Sequence, residues 1–213
     1  MLAWSLVGVG QLEQAAKVLS TCARLQGDKI GDRYLFADLF HDIARIRAHL
    51  RTREADAALA AARRLPANMK RDGLWHVASF RDEARSLIAC AELQVWLRAP
   101  TGAARRRLRK IARQLRGGSI YQQGNAALIE ATLAELAGRS SVAAARLATA
   151  EARFETASVE AHLACTRLRR AALVGAEERA ELQALAQDYF QRERVQAPQD
   201  LVMMLAPGPG CRG

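Results

Sequence analysis

Apolar residues recur along this chain at spacings of three and four, the period of an α-helix with one buried side. The clearest stretch runs from Ala126 to Ala172. Leu128, Ile129, Leu133 and Leu136 predict a helix ending at Gly138, a glycine suited to a left-handed C-cap. Ser140 or Ser141 is placed to cap a second helix, whose inward side reads Val142, Ala145, Leu147, Ala148, Ala152 and Phe154. Val159, Leu163, Ala164, Leu168, Ala171 and Ala172 form a third apolar period. Ala143, Ala144, Ala145, Ala148 and Ala152 let a neighbouring helix come close. Short helices joined tightly, small residues against large, are the unit of an α-solenoid.

The same rhythm runs through the rest of the chain. Gln11–Gln26 is helical with Leu12, Ala15, Ala16, Leu19 and Ala23 inward, and Gly27, Asp28 and Gly31 break it. Asp32 caps a helix to Leu50, buried along Tyr34, Leu35, Leu39, Phe40, Ile43 and Ile46, and Thr52 opens its partner with Ala55, Ala58, Leu59 and Ala62. Pro66 to Gly73 reads as an interruption, and Trp75 and Phe80 as residues packed across a repeat junction. A second pair follows: Asp82–Leu97 and Ala103–Arg116, ended by Gly117 and Gly118. Ser119 caps the next helix, and Gly124 inside it marks a close contact.

The predicted organisation is therefore all-α, an α-solenoid of antiparallel helix pairs. Residues 1–31 form an N-terminal helix and cap, 32–173 three helix pairs, 174–206 a capping helix and fold-back, and 207–213 a disordered tail. Glu177 and Glu178 suit the start of the capping helix, whose apolar side is Leu182, Leu185, Ala186, Tyr189 and Phe190. Pro198 should stop regular structure, with Met203, Met204 and Leu205 folding back on the last groove.

Charge adds a question about partners. The net charge is +10, carried mostly by arginine, so nucleic acid, anionic lipid or an acidic protein all suit it. The basic residues concentrate at Arg105, Arg106, Arg107, Arg109, Lys110, Arg113 and Arg116, and no acid occurs between Glu92 and Glu130. The opposite stripe is Ala104, Leu108, Ile111, Ala112 and Leu115, which makes a basic amphipathic helix. Arg105, Arg106, Arg109, Lys110, Arg113 and Arg116 are the candidate surface for an anionic partner. Aromatic interleaving is absent there, which argues against stacking on single-stranded bases.

Candidate chemistry is sparse. Cys22, Cys90, Cys165 and Cys211 are widely spaced without a CxxC pair, so buried free thiols and a reducing, cytoplasmic setting are expected. Asp38, His41 and Asp42 share one helix side but lack a further metal ligand; ion pairing with Arg45 accounts for them more simply. His76 and His162 stand alone, and no serine or cysteine has a histidine–acid partner. Gly8 and Gly10 lack the third glycine of a nucleotide loop. No catalytic residue, metal, cofactor or transmembrane segment is expected. A non-catalytic protein-interaction module fits best; a basic helical protein binding nucleic acid or another polyanion, and an enzyme with a pocket between helices, are the alternatives.

Taken as a series, the segments "GDKIGDRYLFADL", "ARIRAHLRTREADAALAAARRL", "ACAELQVWLRAPTGAARRRLRKI", "AALIEATLAELAGRSSVAAARL" and "RERVQAPQDLVMMLAPG" between Gly27 and Gly208 are distinctive. They resemble the C-terminal helical-repeat, tetratricopeptide-like region of multidomain bacterial serine/threonine protein kinases, and also the arms of bacterial signalling ATPases. In such proteins catalysis lies in an upstream domain. The chain carries no glycine-rich loop with a following lysine, no "HRD", "DFG", "GKS" or "GKT" segment. The resemblance therefore implies a regulatory or protein-binding arm and transfers no catalytic residue.

Overall fold

The computed structural model describes residue 7, residues 10–25 and residues 36–209. The expectations at Gly8, Gly27, Asp28, Gly31, Asp32, Tyr34, Leu35 and Cys211 lie outside them. The described residues form α-helices with no strand: α1 (Leu12–Leu25), α2 (Phe36–Arg51), α3 (Ala55–Arg71), α4 (Ala78–Arg98), α5 (Gly102–Arg116), α6 (Ile120–Glu135), α7 (Ser140–Thr156), α8 (Glu160–Ala171), α9 (Ala176–Arg192) and α10 (Pro198–Leu205). Each helix from α2 to α8 packs on the next, and α2 on α4 and α4 on α6 as well. That is a strand-free helical-repeat arrangement in which α2, α4, α6 and α8 stand as the first helices of successive pairs. The helix over Glu177–Phe190 is thus the partner of α8.

Helix ends follow a shared device. Gly138 sits at φ 72°, and the Arg139 N–H reaches back to the Ala134 carbonyl at 3.0 Å. Arg53, Ser158 and Arg194 take the same left-handed conformation, with the next residue's N–H bonded to the carbonyls of His49, Phe154 and Phe190. These six-to-one bonds satisfy carbonyls that a helix end leaves open. Thr101 and Ser119 cap α5 and α6 by accepting from the N–H groups of Ala104 and Gln122. Neither Ser140 nor Ser141 caps α7: Arg139 occupies that place without a side-chain bond, because the tight turn after Gly138 starts the helix a residue earlier.

Two prolines depart from the sequence reading. Pro66 lies inside α3, which continues to Arg71. Leu65 and Met69 flank it one turn apart and are both fully buried, and their packing outweighs the missing hydrogen bond. The chain instead breaks at Gly73, φ 77°. Pro198 begins α10 rather than stopping structure, because its fixed φ suits a first helical turn and its missing N–H would be unpaired there anyway.

The register of α7 also differs by a residue. Its buried stripe is Ala143, Leu147, Ala150 and Phe154, while Val142 is 41% exposed. Phe154, fully buried, sets that frame by packing on Gly124, where an added Cβ would lie 2.6 Å from its ring. Gly124 is the close-contact position that its place within a helix suggests. The aromatic junction is a ring cluster, Phe80 standing edge-on to Phe36 and Phe40 at 5.5 and 6.0 Å between centroids. Polar ties join the first helices: Arg47 of α2 pairs with Glu83 of α4 at 2.7 Å, Asn125 of α6 donates to Ser86 of α4 at 3.1 Å, and Arg169 of α8 pairs with Glu135 of α6 at 2.7 Å.

Candidate functional site

The first helices curve around one element, α10. It packs on α8, α2 and α4, and the residues just after it reach α6. One eight-residue helix can touch the first and fourth pairs together only if the row of first helices forms a bowl around it. Leu201, Val202, Met203, Met204, Leu205 and Ala206 are all buried. A helix apolar on every side belongs in such an interior, and each large side chain buried there is worth about 1.5–3 kcal/mol. Pro207 and Gly208 are buried too, so the expected disordered tail does not begin at Pro207. The fold-back of Met203, Met204 and Leu205 reaches the first pair as well as the last.

The bowl holds this segment by its main chain. Arg51 donates to the carbonyls of Gln196 and Ala197. Gln94, 4% exposed, donates to the Met203 carbonyl at 2.7 Å and the Leu50 carbonyl at 2.9 Å. Cys90 Sγ lies 4.0 Å from the Leu205 oxygen. Thr132 Oγ1 and Arg169 Nη1 converge on the Pro207 carbonyl at 3.0 and 2.9 Å. The last carbonyls of α10 lack partners in their own helix, and the bowl supplies them. Gly208 passes against Arg169, where a Cβ would be 2.2 Å from Nε. Arg53 adds an ion pair to Asp200 at 3.2 Å. None of Gln94, Thr132 or Arg169 stands out in the sequence. Their signal is polarity at a buried helical position, visible only once the burial is known.

The predicted basic surface lies elsewhere, on α5. Arg106, Arg109, Lys110, Arg113 and Arg116 are exposed and Arg105 partly so, and among the described residues no ion pair engages Arg105, Arg106, Arg109, Lys110 or Arg113. Arg107 turns to Glu92 of α4 at 3.4 Å. Steps of three and four bring Arg106, Arg109, Arg113 and Arg116 to one side of the helix. They wall an open groove of about 530 Å³ floored by Ala112 and Leu133, with Glu130 at its edge. Glu130 is held by Arg116 at 3.5 Å and Arg146 of α7 at 3.3 Å. The buried stripe Ala104, Leu108, Ala112 and Leu115 packs with Leu93, Trp96 and Ile129, so the basic side stands away from the core.

Other polar side chains of the first helices are paired or buried. Arg45 pairs with Asp42 on its own helix at 2.8 Å, and His49 with Glu54 at 2.6 Å. Glu92 is buried between Arg63 and Arg107, and Gln122 is fully buried. Among the described residues no three metal-ligating side chains converge. Cys90 and Cys165 are buried, and burial pushes the Cys90 thiol up to about 12.

One titratable pair lies where α6 and α8 begin. Tyr121 Oη is 3.3 Å from His162 Nε2, with the rings edge-on at 5.2 Å. Burial, reinforced by Arg47, lowers His162 to about 3, and burial raises Tyr121. Both shifts have one cause and favour the neutral forms, so the pair exchanges no proton near neutrality. A second surface cavity, about 330 Å³, opens beside Glu135, Arg169, Arg179, Gln183 and Gln199, away from that pair.

No described helix is long and apolar enough to cross a membrane. Compared with protein-family models, with curated proteins and with solved structures, the chain matches none. The class is therefore defined by architecture alone: among the described residues, a strand-free stack of helix pairs whose concave side is filled by residues 198–208 and whose outer side carries an arginine-walled groove.

Proposed function

We propose that this chain is a non-catalytic interaction module, of the kind that forms the helical arm of bacterial signalling kinases, and that it docks an acidic protein along α5. The observation that carries this reading is the groove walled by Arg106, Arg109, Arg113 and Arg116. Arg106, Arg109 and Arg113, which no ion pair engages among the described residues, stand with Arg116, which is shared with Glu130, on one helix side and offer paired donors matched to carboxylates. The Ala112–Leu133 floor gives an apolar strip on which a partner helix can rest. Glu130 sets local negative charge against a continuous phosphate backbone, which favours a protein partner over nucleic acid. The filled concave side directs docking to this outer face.

The test is a titration series at two salt concentrations. Wild type and the triple variant Arg106→Gln, Arg109→Gln, Arg113→Gln are compared against a helical peptide carrying Glu at every third or fourth position, and against duplex DNA. Glutamine keeps helix propensity near that of arginine, so the fold should hold. The reading predicts peptide binding that weakens with salt and is lost in the variant. Equal binding by both proteins contradicts it. Tighter binding to DNA, with log K falling against log salt in proportion to phosphates neutralised, would replace the protein partner with a nucleic acid.

A further inference from the structure

The concave side holds its contents as a peptide-binding groove holds a ligand. Its side chains meet the carbonyls of Gln196, Ala197, Met203 and Pro207, which carry no side-chain identity, while apolar walls receive Leu201 to Ala206. The donors come from α2, α4, α6 and α8, one or more from each first helix. Recognition by main-chain bonds, with specificity left to apolar pockets, is a recurring way to bind peptides.

The approach to the segment is built differently from the segment itself. The connector of residues 193–197 is exposed except for a half-buried Val195. Arg194 and Ala197 hold φ 52° and 50°, a region L-residues seldom occupy. Both relax if the connector extends. A short connector held in disfavoured conformations, joining a body to a separately buried element, is the arrangement that permits exchange between copies.

We infer that the bowl is a binding site for an apolar helical segment running into Ala-Pro-Gly, and that residues 198–208 are its resident occupant, replaceable by the same segment of a second copy. Exchange conserves the contacts of residues 198–208: the incoming carbonyls meet the same Gln94, Thr132 and Arg169, while the connector, including the Gln196 and Ala197 carbonyls that Arg51 holds, changes conformation. This inference is independent of the outer groove on α5.

The experiment uses the full chain with a site-specific protease sequence inserted after Arg194, in the exposed connector. After cleavage, a fluorescent synthetic peptide of residues 197–213 is added in excess, with a scrambled peptide of equal composition as control. The expected result is a nicked protein that keeps its helical circular dichroism and takes up the labelled peptide, with unlabelled peptide chasing it out and the scrambled one excluded. The double variant Gln94→Leu, Thr132→Val should release the peptide at least about tenfold faster, because two main-chain carbonyls lose donors. Fluorescence anisotropy reads each step. Unfolding on cleavage would make the segment an inseparable part of the core and overturn the inference. So would a nicked segment that never exchanges, or a scrambled peptide that binds equally well.

Discussion

Replacing Arg169 with methionine tests how the C-terminal segment is held. The guanidinium is 4% exposed and serves two partners, the Glu135 carboxylate at 2.7 Å and the Pro207 carbonyl at 2.9 Å. Methionine keeps most of the side-chain volume, so cavity formation contributes little. The Pro207 carbonyl keeps Thr132 at 3.0 Å and is not orphaned. The main cost is the Glu135 carboxylate, 13% exposed and deprived of its counter-charge. Breaking a buried pair in this way costs about 3–5 kcal/mol. Glu135 also borders the cavity of about 330 Å³, through which water can reach it, so the expected loss is about 2–4 kcal/mol. Urea unfolding of the full chain, followed at 222 nm, should show the midpoint fall by about 1 M or more at an ordinary m-value. Adding Glu135→Gln to Arg169→Met should then recover about 1 kcal/mol or more, since the stranded charge is gone. A single variant within about 0.5 kcal/mol of wild type would refute the reasoning. A double variant no better than the single would refute the charge explanation specifically.

Three further outcomes are expected. His162 is buried neutral with its pKa lowered to about 3, so between about pH 6.5 and pH 3 the unfolded chain binds a proton that the folded chain does not. Stability should fall with pH across that window, on the order of 1 kcal/mol per unit, and His162→Gln should flatten the slope between pH 6.5 and 5 in paired urea titrations. Ser158→Gly, at φ 54° where an L-residue is disfavoured, should stabilise by about 0.5–1 kcal/mol and raise Tm by roughly 2–3 °C in calorimetry. Gly124→Ala sets a propensity gain of about 1 kcal/mol against overpacking of about 1–3 kcal/mol at the Phe154 ring; a net loss near 1 kcal/mol is expected, and Phe154→Leu in the same chain should reduce it.

The legible parts of the sequence are those decided inside a single helix or turn. The basic side of α5 needs only the 3.6-residue period, and Gly138 and Gly124 announce themselves because glycine is costly where it has no purpose. Arg53, Ser158 and Arg194 perform the same task as Gly138, but their residue types give no sign of a left-handed conformation. The α7 register turns on one residue: with Phe154 as anchor the stripe is Ala143–Leu147–Ala150, and an alanine-rich helix offers little contrast to choose it. Pro66 shows tertiary packing overriding a local breaker, since Leu65 and Met69 both need the helix to continue.

The concave side was the least legible. The run Leu201 to Leu205 is apolar on every side, so it implies burial without naming neighbours. That α10 meets both α2 and α8 depends on curvature summed over four helix pairs, which no local pattern encodes. Gln94, Thr132 and Arg169 lie on three different helices and become a set only around that segment. The resemblance to kinase helical arms rests on the sequence series, and the strand-free repeat architecture is compatible with it without singling it out.

The central claim is that the bowl of first helices is closed by the chain's own C-terminal segment. Amide hydrogen exchange on the full chain tests it most directly. The N–H groups of Leu201 to Ala206 should exchange at least about a hundredfold more slowly than those of a free peptide of the same sequence, while the connector around Arg194 to Gln196 exchanges readily. Exchange of Leu201–Ala206 at the free-peptide rate, with α6 still protected, would mean an open bowl and contradict the account.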